Sequence, residues 1–169
     1  MQAPLRLLRA ARLDTSPGLL LATAVSTAVF IATPISLSSI AERFAVGPGT
    51  AGLFSAAQLG AFVLASWTAG RFMRPSAASF RLGLVTLAAA NFASTLDSGF
   101  VLFVVLRGLS GFALGVITWL AWSQVFGDDE RQGDIAVVGP IAGVIVSPVF
   151  GLLLESGGDR AVFGALGVA

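Results

Sequence analysis

Arg107 is the charged side chain best placed to do chemistry, because it lies within the otherwise apolar stretch 100–126. It follows Gly99 by eight residues, which is about 12 Å of helix at about 1.5 Å per residue. If this stretch crosses a membrane, a charge at that depth costs about 2.5–3.5 kcal/mol on insertion scales and usually faces a partner or a cavity. Two interpretations stay open. The guanidinium binds an anionic substrate group or the coupling machinery, or it is a structural arginine bonded to backbone carbonyls or to Gln58.

Small and polar residues continue along the helix face that carries Arg107. At offsets of three, four, seven, eleven and fifteen residues, this face holds Ser110, Gly111, Leu114, Thr118 and Trp122. The face predicts a water-filled path, or else helix packing at its glycines and an interfacial aromatic belt at its tryptophans. The predicted substrate-pathway residues are Arg107, Ser110, Thr27, Gln58 and Thr118.

An enzymatic alternative rests on Ser110. The segment Gly108-Leu109-Ser110-Gly111 resembles the Gly-x-Ser-Gly nucleophile motif of rhomboid intramembrane serine proteases. A serine needs an adjacent base to become nucleophilic, and this chain contains no histidine. A protease is therefore the less favoured reading, and we predict no catalytic residue. The chain also lacks cysteine, so we expect no metal site and no cofactor.

Composition and spacing place these residues in a membrane protein. Hydrophobic residues make up 56% of the chain and charged residues 11%, against about 45–50% and about 25% in soluble proteins. Apolar stretches of about 20 residues recur, the length of helix that crosses a bilayer. The first stretch exceeds the apolar region of a signal peptide, which favours an uncleaved helix. We predict an all-α membrane protein with an amino-terminal segment 1–17 and a transmembrane domain 18–169, with spans 18–40, 49–72, 82–96, 100–126 and 135–154 and a partial span 161–169.

The arginines predict the orientation. All ten basic residues are arginine, and they are scattered among the joints between spans, which disfavours nucleic acid as a partner. Cytoplasmic joints hold an excess of basic residues, so we predict a multi-pass protein of the cell inner (plasma) membrane with a cytoplasmic amino terminus. This orientation leaves Arg43 and Arg160 outside. It places inside Arg6, Arg9, Arg12, Arg71, Arg74, Arg81 and Arg131.

The fifth span carries small residues at a strict four-residue step. Such a step forms a groove that lets another helix approach closely, while prolines remove backbone donors and bend the helix. Packing is the favoured interpretation, and a hinge between moving helices is the alternative. The predicted packing or hinge residues, with Gly111 of the fourth span, are Gly139, Gly143, Ser147, Pro148 and Gly151.

From Gly18 onward the chain resembles the amino-terminal half of a major facilitator superfamily transporter. Arg107-Gly108-Leu109-Ser110-Gly111 resembles the Arg-x-x-x-Gly motif of that family's fourth helix. Gly143, Ser147-Pro148 and Gly151 resemble the Gly-x-x-x-Gly-Pro-x-x-Gly motif of its fifth helix, with Ser147 replacing a glycine. Asp159-Arg160-Ala161-Val162-Phe163 resembles the Trp-Arg-Trp-x-Phe start of its sixth helix without the tryptophans.

The joint between the second and third spans departs from the family pattern. The family has Gly-x-x-x-Asp-Arg-x-Gly-Arg-Arg there, whereas in this chain Arg74 stands in the position of the acid. The charge network that gates the family is therefore not predicted from this joint, or it is replaced by contacts of Arg71 and Arg74. The gating-loop candidates are Gly70, Arg71 and Arg74.

The resemblance implies one half of a helical bundle that holds a small-molecule substrate near the bilayer midplane, with helices one and four lining the cavity. It implies secondary active transport by alternating access. Export is favoured over uptake of a charged nutrient because the span interiors offer mainly hydroxyl and apolar groups, and any acid for a coupling proton is expected in the missing half or at a joint. The last apolar run stops after nine residues, so we expect a fragment that is inactive without a carboxyl-terminal half. A non-transporting membrane subunit is the alternative.

Overall fold

The computed structural model describes residues 15–97 and 99–169, and these form helices with no strand. Residues 1–14, with Arg6, Arg9 and Arg12, and residue 98 lie outside the described residues. The all-helical class is thereby confirmed. In chain order the helices are α1 (Pro17–Ile35), α2 (Leu37–Arg43), α3 (Pro48–Phe72), α4 (Ala77–Ala93), α5 (Phe100–Val125) and α6 (Asp129–Val168).

Four of these helices, α1, α3, α5 and α6, are long and apolar enough to cross a membrane. The apolar helix α4 has 17 residues, which is about 26 Å at about 1.5 Å per residue. It begins five residues before the span predicted at 82–96, because the side chain of Ser76 accepts a hydrogen bond from the Ser79 amide at 3.1 Å and caps its first turn. Several of the described helices could therefore span a membrane, as the helices of a multi-pass membrane protein do.

Other predicted boundaries also differ from the structure. The first span, predicted as continuous over 18–40, breaks at Ser36, where α1 ends and α2 begins. Pro34 lacks the amide hydrogen that would continue the helix, which accounts for a break at this place. The predicted joint 155–160 is helical except at Gly158, whose φ of 65° interrupts α6 and suits glycine, which has no Cβ.

Neighbouring helices in the bundle are often not neighbours in the chain. Along α3 and α5 the close contacts advance together: Gly111 lies against Gln58, and Gly115 against Phe62. These two helices therefore run parallel. Their contact is the most extensive in the bundle. By the same test α1 runs parallel to the first part of α6, because Gly139 lies against Thr27 and Gly143 against Ile31.

Contacts between the joints define two ends of the bundle. At one end, which we name the Arg43 end, Arg43 donates hydrogen bonds to Asp159 at 2.6 Å and to the carbonyl oxygens of Ser94 and Leu96 at 3.0 and 2.6 Å. At the other, which we name the Asp134 end, the amide and hydroxyl of Thr15 donate to the Asp134 carboxylate at 3.1 and 2.9 Å. Successive long helices therefore alternate in direction, as the predicted spans require.

Candidate functional site

A cavity of about 240 Å³ lies between α1, α5 and the first part of α6. The absence of a side chain at Gly139 brings α6 close to α1 there, since a Cβ at that position would lie 3.3 Å from the Thr27 hydroxyl. The wall of the cavity combines hydroxyl groups with apolar and aromatic side chains, and no charged side chain of the described residues lines it. The lining includes Thr23, Ser26, Thr27, Thr118, Phe30, Phe62, Ile117 and Trp122.

The hydroxyl groups of α1 differ in what they offer to a ligand. Thr23 and Thr27 donate to the carbonyl oxygens one turn earlier, of Leu19 and Thr23, at 2.9 and 3.0 Å. Their oxygen lone pairs remain available as acceptors. Ser26 is buried, and its hydroxyl has no hydrogen-bond partner in the described part of the chain. The cavity can therefore accept hydrogen bonds from a solute at Thr23 and Thr27, whereas the Ser26 hydroxyl is buried behind this wall.

Arg107 lies outside this lining, fully buried between α5 and α4. Its Nη1 donates to Asn91 Oδ1 at 3.0 Å, and its Nη2 donates to the Ala90 carbonyl at 3.1 Å and to Ser94 Oγ at 2.6 Å. The guanidinium carbon also stands 4.3 Å from the centre of the Phe163 ring. These contacts join α5, α4 and the end of α6 around one positive charge.

All the hydrogen-bond partners of Arg107 are neutral, and no carboxylate in the described ranges pairs with it. A buried arginine without an acid is stabilised here by the dipoles of carbonyl, amide and hydroxyl groups and by the aromatic face of Phe163. Asn91 extends the contact by donating from Nδ2 to the Leu166 carbonyl at 3.5 Å. The arrangement fits a group that positions helices.

The structure separates the predicted pathway residues into two groups. Thr27 and Thr118 line the cavity, whereas Arg107, Ser110 and Gln58 lie fully buried away from it. Of the two structural partners considered for Arg107, a backbone carbonyl is present. The Gln58 amide atoms have no partner among the described residues. Contact between a solute and Arg107, Ser110 or Gln58 stays a prediction.

Two residues that bind Arg107 were not selected from the sequence. Asn91 is the one amide side chain of the third predicted span, and Ser94 follows it by three residues. A polar pair at one end of a short apolar span is the signal that could have identified them. Polar side chains within membrane-spanning helices usually pair with one another or with backbone carbonyls.

The small-residue step of α6 divides into a packed and an open part. Gly139 and Gly143 face α1, where Cβ atoms would lie 3.3 Å from Thr27 and 3.2 Å from Ile31. Ser147 donates to the Gly143 carbonyl at 2.7 Å. Pro148 is exposed, and a Cβ at Gly151 would meet nothing within 4 Å. The first half favours the packing interpretation, whereas at Gly151 in the second half there is open space beside the backbone.

The gating-loop candidates lie where α3 ends. A Cβ at Gly70 would lie 3.4 Å from Nε1 of Trp119 on α5. The Arg71 guanidinium carbon stands 4.3 Å from the centre of the Trp67 ring, and Arg74 is exposed. Neither arginine forms an ion pair within the described ranges.

Comparison with protein-family models, with curated proteins and with solved structures finds no match for this chain. Its function is therefore argued from its own residues.

Proposed function

We propose that this chain is part of a secondary active transporter that moves a small solute across the membrane by alternating access, with export the favoured direction. The observation that carries the proposal is the hydroxyl-lined cavity between α1, α5 and α6. Thr27 stands ten residues into α1, about 15 Å along the helix. That is half of the roughly 30 Å hydrocarbon core, the depth at which secondary transporters hold their solutes.

The wall of the cavity indicates the kind of solute. Charged side chains do not line it among the described residues, and its polar atoms are hydroxyls between Phe30, Phe62 and Trp122. A charged solute would lose its hydration there without gaining a counter-charge. An uncharged, partly apolar molecule with a hydrogen-bond donor for Thr23 or Thr27 fits this wall. This favours export of small amphipathic compounds over uptake of a highly charged nutrient.

Helix packing around the cavity supports movement between two states. The α1–α6 pair lines the cavity together with α5 and with Phe62 of α3, so separation of α1 and α6 from α3 and α5 would open it. The contact between α3 and α5 is closer, with backbone against backbone at Gly111. We propose that α3 and α5 move together as one body, and that the α1–α6 pair moves relative to them.

A protease is not favoured by the surroundings of Ser110. Its hydroxyl is buried and has no partner among residues 15–97 and 99–169, whereas a nucleophilic serine requires an adjacent base. A non-transporting subunit would need no solute cavity at mid-depth. Transport is therefore the function that we put to the test.

The test compares the sensitivity of a deletion strain to a panel of amphipathic compounds with that of strains carrying variants of the full-length protein. We expect wild type to restore resistance to some compounds. A Thr27→Val, Thr118→Val double variant should lose about 5- to 150-fold of that resistance, because each of the two lost hydrogen bonds is worth about 0.5–1.5 kcal/mol. Sensitivity that is unchanged by deletion throughout the panel would count against export.

Thr68→Val is the matched control for the cavity variants. The Thr68 hydroxyl also donates to its own helix, to the Leu64 carbonyl at 2.8 Å, but it does not line the cavity. The control should keep the resistance of wild type. If the double variant also keeps it in full, the solute does not use this cavity.

A further inference from the structure

The joint between α3 and α4 is positively charged and has no acidic residue of its own. Arg71, Arg74 and Arg81 lie within eleven residues of one another, and no acidic residue occurs between Glu42 and Asp97. All three side chains belong to exposed residues. Because α3 runs parallel to α5, which ends just before α6 begins, this joint lies at the Asp134 end.

These three arginines differ from the other arginines near helix ends. Each of the latter has a carboxylate partner: Arg43 with Asp159, Arg160 with Asp97, and Arg131 with Asp128. Within the described ranges none of the three arginines of the α3–α4 joint forms an ion pair.

Among the described residues, the acidic side chains at the same end are gathered at the start of α6. Asp128 caps that helix by accepting from the Arg131 amide at 3.2 Å, and Asp134 accepts from Thr15. Asp129 and Glu130 lie in the first turn of α6, where acidic side chains are stabilised by the helix dipole. The positive charge of the α3–α4 joint therefore remains open to an external anion.

Large apolar side chains stand beside these arginines and are exposed. Trp67 is 51% exposed, Phe72 77% and Leu82 68%. The guanidinium of Arg71 lies over the Trp67 ring at 4.3 Å. Aromatic rings beside basic groups are typical of the layer where lipid tails meet headgroups. A water-soluble acidic partner would leave these apolar side chains uncovered, whereas a bilayer covers them and supplies phosphates.

We propose that Arg71, Arg74 and Arg81 form a binding surface for the phosphate groups of anionic lipids in the leaflet at the Asp134 end. Trp67 and Phe72 anchor this surface in the adjoining acyl region. Each basic residue near an anionic membrane surface strengthens binding roughly fivefold. The surface acts on the position and stability of the α3–α4 joint, and it does not depend on the proposed transport.

The test measures the melting temperature of the purified full chain in neutral detergent, with phosphatidylglycerol or phosphatidylcholine added to the micelles. We expect phosphatidylglycerol to raise the melting temperature by several degrees more than phosphatidylcholine. This difference should shrink in about 0.5 M salt because exposed charges are screened. Equal effects of the two lipids would overturn the proposal.

Arginine variants test which residues cause the preference for phosphatidylglycerol. R71Q/R74Q/R81Q should lose the preference for phosphatidylglycerol, whereas R131Q/R160Q, which removes exposed arginines that have carboxylate partners, should keep it. Should the triple variant fail to fold, Arg74→Gln alone should weaken the preference about fivefold in lipid titration. The proposal would be overturned if R71Q/R74Q/R81Q and Arg74→Gln kept the full preference for phosphatidylglycerol. It would also be overturned if R131Q/R160Q lost that preference to the same extent.

Inorganic phosphate serves as the third ligand. We expect it to leave the melting temperature unchanged at concentrations where phosphatidylglycerol acts. A phosphate shift as large as the lipid shift would identify a site for free anions and would exclude a lipid surface.

Discussion

At the scale of single residues, Arg107 combines complete burial with hydrogen bonds to three acceptors on α4 and its C-cap. Arg107→Ala should destabilise the protein, because it leaves the Asn91 and Ser94 acceptors unsatisfied at a cost on the order of 1–3 kcal/mol. We expect membrane insertion to be retained and the melting temperature in detergent to fall. Transport should be lost as a consequence of the displaced α4.

Asn91→Ala is the second single variant of a double-mutant cycle with Arg107→Ala. Asn91 and Arg107 bind each other at 3.0 Å, so their effects on the melting temperature should not add. Arg160→Ala is the control, since its exposed pair with Asp97 is worth about 0–1 kcal/mol. Lost transport at an unchanged melting temperature in Arg107→Ala would instead place the guanidinium on the solute path. Retained activity in Arg107→Gln would support a packing role.

The sequence reveals the depth of Arg107 but not its partner. Isolation of one charge in an apolar stretch is visible in the order of the residues. Which neighbour it meets depends on how α5 rotates and which helix packs against that face. Equal depth suggested Gln58, but Gly111 brings the α3 backbone so close that Gln58 packs by its main chain, and α4 supplies Asn91 instead.

At the scale of helices, Gly111 determines how closely α3 and α5 approach. A Cβ at Gly111 would lie 2.0 Å from the Gln58 carbonyl oxygen. This oxygen belongs to the main chain of α3, which cannot move aside as the end of a flexible side chain can. Gly111→Ala should force the helices apart and destabilise the protein by about 1–3 kcal/mol, the usual cost of overpacking. Thermal unfolding in detergent measures the loss.

Gly108→Ala, one turn earlier on the same helix, is the control for that prediction. Its Cβ would meet only the Ala57 carbonyl at 4.0 Å, and alanine favours helix by about 1 kcal/mol over glycine. Gly108→Ala should therefore be neutral or stabilising. Similar melting temperatures for the two variants would show that the α3–α5 contact is looser than described.

Hydropathy located the helices better than it located their ends. The apolar runs predicted every long helix, because the bilayer requires that length. The start of α4 is set by a local hydrogen bond from the Ser79 amide to Ser76, and the break in α6 by one backbone conformation at Gly158. The solute cavity is still harder to predict, since α1, α5 and α6 form it together from distant parts of the chain.

At the scale of the whole molecule, the distribution of arginines between the two ends predicts the orientation in the membrane. Arg43 and Arg160 lie at the Arg43 end, whereas the Asp134 end carries Arg71, Arg74, Arg81 and Arg131. Excess basic residues stay on the cytoplasmic side. We therefore expect the Asp134 end to be cytoplasmic.

Cysteine labelling tests this orientation with no labelling at native positions of the chain, because the chain contains no cysteine. Ala45 and Glu130 are exposed at opposite ends of the bundle, and Glu155 is exposed near the Arg43 end. A membrane-impermeant maleimide added to intact cells should label Ala45→Cys and Glu155→Cys. It should reach Glu130→Cys only after permeabilisation. Labelling of positions 45 and 130 from the same side would contradict the alternating helices, and labelling of 130 alone would invert the orientation.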